Sequence, residues 1–157
     1  MIQDMNNNMQ SDSTVRGAVM IPTLRYRDAV GAIDFLCRAF GFEKALVVEG
    51  EGGSIDHAQL TWNGSMLMLG SARDDEYGQL VGGSRPDSSN GMGLYIVVAD
   101  ARAHCAHARE AGAEIVMEPE EQHYGGFLYT CRDPEGTVWS FGEYDPWKDL
   151  SKNDSST

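Results

Sequence analysis

Apolar and polar residues alternate over Ile55–Trp62, with Ala58, Leu60 and Trp62 on one side and His57, Gln59 and Thr61 on the other. That is the period of a half-buried strand. Over Ala29–Phe40 the period changes: Ala29, Ile33, Leu36 and Phe40 recur at helical spacing, Asp28 stands ahead of them as a cap, and Gly41 ends the run. A second helix is predicted over Ala101–Ala111, with Ala101, Cys105 and Ala108 on its apolar face, Asp100 as cap and Gly112 as stop. Short β-type runs precede the two helices at Val19–Tyr26 and Met92–Val98. Three more follow each helix, at Lys44–Glu49, Ile55–Trp62 and Ser65–Gly70, then at Glu114–Met117, Phe127–Arg132 and Thr137–Gly142. Asn63-Gly64 and Asp133-Pro134-Glu135-Gly136 supply the hairpin turns between the last two strands of each set.

The two sets are one pattern written twice. Asp28 and Asp100, like Gly64 and Gly136, stand 72 positions apart, so each half reads βαβββ. The expected fold class is α+β: two tandem βαβββ modules forming curved mixed sheets around a cleft, with helices on the outer faces. Module one covers residues 17–70 and module two residues 92–147. Residues 71–91, rich in Gly, Ser and Pro, form the expected linker. The polar stretches 1–16 and 148–157 are expected to be disordered tails.

Charge narrows the function. The chain's 12 basic and 24 acidic residues give a formal charge of −12, which repels nucleic acid and anionic lipid. No apolar stretch approaches the roughly 20 residues of a membrane-spanning helix. Cys37, Cys105 and Cys131 are odd in number and widely spaced, which argues against a disulfide framework or a thiolate zinc site. The N-terminal residues lack the apolar core of a secretory signal, so a cytoplasmic location is expected.

The phrases LRYRDAVGAIDFLCRAFGF, DHAQLTWNGSMLMLG and YGGFLYTCRDPEGTVWSFGEYDP, set in paired βαβββ modules, resemble the vicinal oxygen chelate superfamily, the glyoxalase, bleomycin-resistance and extradiol-dioxygenase fold. The resemblance implies a divalent metal held from the first and last strands of each module. The matching positions here are Ile21, Met68, Gly93 and Ser140, none of them a usual ligand for such an ion. The expectation is therefore a member without the usual metal quartet and with no cofactor. The resemblance also implies a homodimer.

If those four positions face the cleft, alternation turns Thr23, Arg25, His57, Gln59, Tyr95 and Val97 inward as well, and adding 72 to His57 and Gln59 turns Tyr129 and Cys131 inward. The expected ligand-binding residues are Thr23, Arg25, His57, Gln59, Met68, Tyr95, Tyr129 and Ser140, with His123 and Tyr124 on a loop that closes over the cleft. Arg25 suits a carboxylate or phosphate on the ligand. Cys131 is better read as a small buried residue than as a nucleophile. His104 and His107 read as a solvated helix face. His57 and Glu143 are the candidate catalytic groups, although alternation places Glu143 on the wrong side. Two functions compete. One is a metal-independent protein that sequesters or senses a small hydrophobic or aromatic compound. The other is a lyase, isomerase or dioxygenase acting on a small oxygenated substrate, either metal-free or with a non-standard site built from His57 with Glu49 or Glu143.

Overall fold

A computed structural model describes residues 18–82 and 91–154; the expected N-terminal tail and the middle of the linker lie outside the described residues. Module one contains β1 (Thr23–Tyr26), α1 (Ala29–Phe35, continued by a π turn over Leu36–Phe40), β2 (Glu43–Glu49), β3 (Ile55–Trp62) and β4 (Ser65–Ser71). Module two contains β5 (Leu94–Val97), α3 (Ala101–Glu110), β6 (Glu114–Glu121), β7 (Phe127–Arg132) and β8 (Val138–Gly142). Each module folds into a four-stranded mixed sheet, ordered β1-β4-β3-β2 and β5-β8-β7-β6. The first and last strands of each module run parallel and the others antiparallel.

Local chemistry sets the helix ends. The Asp28 carboxylate accepts from the Gly31 amide at 2.9 Å and that of Asp100 from the Ala103 amide at 3.0 Å. Gly41 (φ 90°) and Gly112 (φ 101°) adopt the left-handed conformation that releases the chain. Two further helices stand where none is expected. The linker holds α2 (Glu76–Val81), capped by Asp75, whose carboxylate accepts from Gly78 N at 2.7 Å. From the end of module two into the expected C-terminal tail runs α4 (Pro146–Asp154), for which Pro146 is a favourable first residue and Asp145 accepts from Trp147 N at 3.0 Å.

The helix-covered sides of the two sheets share one core. Phe40, at the end of the π turn, lies 4.8 Å from Phe141 and 5.3 Å from Trp139, ring centre to ring centre. The Asp133-Pro-Glu-Gly turn of module two docks on the start of α1. Asp133 Oδ2 accepts from Tyr26 Oη at 2.7 Å and Trp139 Nε1 at 3.1 Å, while Glu135 accepts from the amides of Arg27 and Asp28.

The expectation of a solvated face holds for exposed His107 and is corrected for His104, which is part-buried; both rings are nonetheless engaged. Their Nε2 atoms donate to Phe40 O (3.1 Å) and Arg38 O (2.8 Å), carbonyls at the end of α1 where the helix leaves acceptors without partners. With its proton on Nε2, His104 accepts at Nδ1 from Tyr129 Oη. Burial lowers its pKa, because the imidazolium would lose solvation and that acceptor. A lowered folded-state pKa means stability is full above the ordinary value near 6.5 and is lost as pH falls through the lower one. The melting temperature should therefore fall as pH drops from about 7 to 5. His104→Gln should flatten that slope, and thermal melts across the range check it.

Register carries one more correction. β4 and β8 obey the 72-residue offset, Thr23 pairing with Met68 as Tyr95 pairs with Ser140. In module one Thr61 pairs with Met66, whereas in module two Arg132 pairs with Val138 across a connection one residue longer. β7 is thus shifted by one, and a one-residue slip exchanges the two faces of a strand. Tyr129 and Cys131, expected toward the cleft, are fully buried beneath α3. Leu128, Thr130 and Arg132 take the face opposite the helix.

Candidate functional site

Each sheet has one face covered by its helix and one bare. Because the covered faces share the core, the bare faces are not brought together within the chain. A row of paired residues crosses each: Thr23, Met68, Gln59 and Leu46 in module one, and Tyr95, Ser140, Thr130 and Met117 in module two. Leu46, Tyr95 and Met117 are 44%, 45% and 59% exposed. The structure thus gathers Thr23, Gln59 and Met68 on one bare face and Tyr95 and Ser140 on the other.

His57 is half-buried on the first bare face, and its Nε2 accepts from the Gln59 amide at 3.1 Å. Arg25 runs along the edge of that face. Its Nη1 passes over Gly70, where a Cβ would lie 2.5 Å from it, to donate to Ser71 O at 3.3 Å, while the Tyr77 ring of α2 covers the guanidinium at 5.1 Å. A carbonyl and a ring hold it, with no carboxylate among its described partners.

The Glu143 carboxylate is engaged by two backbone amides. Oε2 accepts from Ala101 N (2.9 Å) and Oε1 from Phe127 N (3.2 Å). The carboxylate caps the start of α3 and pins the start of β7. Burial pushes the Cys131 thiol up to about 12, so it stays protonated and inert at neutral pH. Tyr129 is likewise shifted up by burial.

The second bare face carries a cavity of about 350 Å³ whose walls include Met117, Glu120, Leu128, Thr130 and His123. The His123 ring meets that of Tyr124 edge-on at 5.0 Å, and Tyr124 in turn meets Tyr144 at 5.0 Å. Tyr95 Oη donates to Tyr144 O at 2.6 Å, its phenol pKa raised by burial and by neighbouring Tyr124. Tyr144 therefore links the loop pair to Tyr95. Thr130, Met117 and Leu128 line this candidate site and are not expected from the sequence; the signal was the length of the Asp133-Pro-Glu-Gly turn. Thr130 Oγ1 lies 2.8 Å from Ser140 Oγ.

Paired βαβββ modules joined through a common core, each offering a bare sheet face, define the class of protein. The chain belongs to the Glyoxalase/Bleomycin resistance protein/Dioxygenase superfamily, whose profile matches residues 18–141. It is 35% identical over 126 residues to uncharacterized proteins of Mycobacterium bovis and Mycobacterium tuberculosis, a match covering 78% of this chain and 80% and 72% of theirs. TioX from Micromonospora sp. ML1 superposes with a TM-score of 0.63 at 27% identity, covering 82% of this chain and 100% of TioX. A glyoxalase-related enzyme from Fulvimarina pelagi shares the fold, with a TM-score of 0.60 at 21% identity over 80% of this chain and 86% of that one.

The four positions at which the sequence resemblance leads one to expect a metal carry a thioether at Met68, a hydroxyl at Ser140 and no side-chain donor at Ile21 and Gly93. This set does not fit a hard divalent ion. Among the described residues, no three His, Cys, Asp or Glu side chains are grouped to hold a metal, and no helix is long and apolar enough to cross a membrane.

Proposed function

We propose that this protein binds a small hydrophobic or aromatic compound on its bare sheet faces, sequestering or sensing it without a metal, in the cytoplasm. The observation that carries the reading is the pair of rows Thr23–Met68–Gln59–Leu46 and Tyr95–Ser140–Thr130–Met117. They set thioether, aliphatic and aromatic surface around neutral hydrogen-bonding groups, the composition of small-molecule sites. Half-exposed apolar residues on both faces, left apart within the chain, support a homodimer in which a second copy closes a cleft over each.

Native mass spectrometry of the protein as purified tests the assembly: the expected species is a metal-free dimer, and a monomer or one divalent metal per chain would overturn it. Fluorescence titration with neutral N-phenylnaphthylamine tests the faces. Tyr95→Ala and Met68→Ala should each weaken the probe by roughly tenfold, the loss expected for one well-packed contact side chain. Unchanged affinity in both variants rejects the bare faces as the site.

The observation favouring an enzyme is His57, an imidazole on the bare face oriented by the Gln59 amide. On a substrate recovered as a bound adduct, an enzyme requires His57→Ala to lower turnover by orders of magnitude, whereas a binder loses only affinity.

A further inference from the structure

We infer that Arg132 reads an anionic group on the bound compound, which then carries a carboxylate, sulfonate or phosphate at one end of an apolar or aromatic body. The inference rests on the small-molecule reading and adds a ligand class to it.

The first observation is an uncompensated cation. The guanidinium groups of Arg25, Arg27, Arg38, Arg73, Arg102 and Arg109 each meet a carboxylate, a carbonyl or an aromatic ring. The Arg132 side chain makes no hydrogen bond or ion pair among the described residues, and its Nε is cut off from solvent with no acceptor. Glu114 is its cross-strand neighbour, yet the two side chains do not pair. The half-buried side chain keeps its terminal amino groups as the part an oxyanion can reach, and a charge-assisted hydrogen bond there is stronger than one between neutral groups.

The second observation is where that cation stands. Arg132 lies two residues beyond Thr130 on the same face of β7, about 7 Å along the strand. The order along that face is Leu128, then Thr130, then Arg132. Leu128 and Met117 wall the cavity of about 350 Å³, room for an aromatic body. The Thr130 and Ser140 hydroxyls, 2.8 Å apart, come next and offer a further donor to an oxyanion. Of the three glutamates that line the cavity, Glu118 is paired with Arg109, while Glu120 and Glu121 stand beside Leu128 and Phe127, at the end away from Arg132, and repel an anion there. Arg25, the other cation near a bare face, is already held by Ser71 O and Tyr77.

The test compares two probes that differ by one sulfonate, anilinonaphthalene sulfonate and neutral N-phenylnaphthylamine, titrated into the wild type, Arg132→Met, Arg132→Lys and Glu114→Gln. The wild type should prefer the sulfonate. Arg132→Met should weaken the sulfonate about tenfold or more, the scale of a charge-assisted hydrogen bond, and leave the neutral probe within about twofold. Arg132→Lys should restore only part of the loss, because an ammonium keeps the charge without the planar fork. Glu114→Gln should match or exceed the wild type. If Arg132→Met does not fold, Arg132→Gln carries the same comparison. Equal sulfonate affinity in wild type and variant, with the neutral probe still bound, overturns the role of Arg132 and leaves the small-molecule reading standing. Failure of both probes to bind the wild type overturns both. Loss of the dimer at unchanged probe affinity assigns Arg132 to the interface and also overturns the inference.

Discussion

Asp133→Ala is expected to destabilise the protein by about 3–5 kcal/mol, lowering the melting temperature by on the order of 10 °C. Asp133 is 4% exposed and each carboxylate oxygen serves two donors: Oδ1 accepts from the amides of Glu135 and Thr137, both at 3.0 Å, and Oδ2 from Tyr26 Oη and Trp139 Nε1. Removing it strands four donors, two of them side chains in the shared core. Because Asp133 also shapes the turn whose Glu135 holds the start of α1, the loss reaches both modules. Tyr26→Phe deletes only one donor of the four and should cost about 1 kcal/mol. Denaturant titrations with unchanged slope decide the matter; a loss under 1 kcal/mol for Asp133→Ala would show that water replaces the carboxylate.

That network also shows which parts of the molecule were legible in advance. The order of elements was readable because independent local signals coincide: alternation over Ile55–Trp62, a capping Asp ahead of each helix, and Gly41 and Gly112 behind. The first bare face was readable because alternation assigns Gln59 once Ala58 and Leu60 are buried, and the resemblance places Met68 beside it. The second was readable only in part. A constant offset carries no information about turn length, and one added residue before Val138 sends Tyr129 into the core and Thr130 and Arg132 out of it. Contacts between side chain and distant backbone leave no local trace at all. Nothing near Glu143 in sequence signals that its carboxylate ends on Ala101 N and Phe127 N, nor anything near His104 that its ring seeks Phe40 O. Misjudged residues are therefore concentrated where tertiary hydrogen bonds assign a polar group to structure that residue type alone assigns to chemistry.

Phe40→Ala is the second large loss expected, about 3–5 kcal/mol, the usual cost of emptying a buried aromatic site. Phe40 is 1% exposed, and its ring meets Phe35 edge-on at 5.2 Å within its own module and Trp139 and Phe141 in the other. Its carbonyl accepts from Trp62 Nε1 at 3.0 Å and from His104 Nε2. The backbone bonds survive the substitution; the ring contacts that hold the modules together do not. Collapse around the gap is limited, because Trp139 is tied to Asp133 and His104 to two acceptor and donor groups on different strands and helices. Phe40→Leu, which refills much of the volume, should recover more than half of the loss. Since the bare faces lie on the far side of both sheets, affinity for N-phenylnaphthylamine at a temperature where the variant remains folded should change little. A variant that melts as the wild type does, or that loses the probe while fully folded, would show that the joint between the modules is not where Phe40 places it.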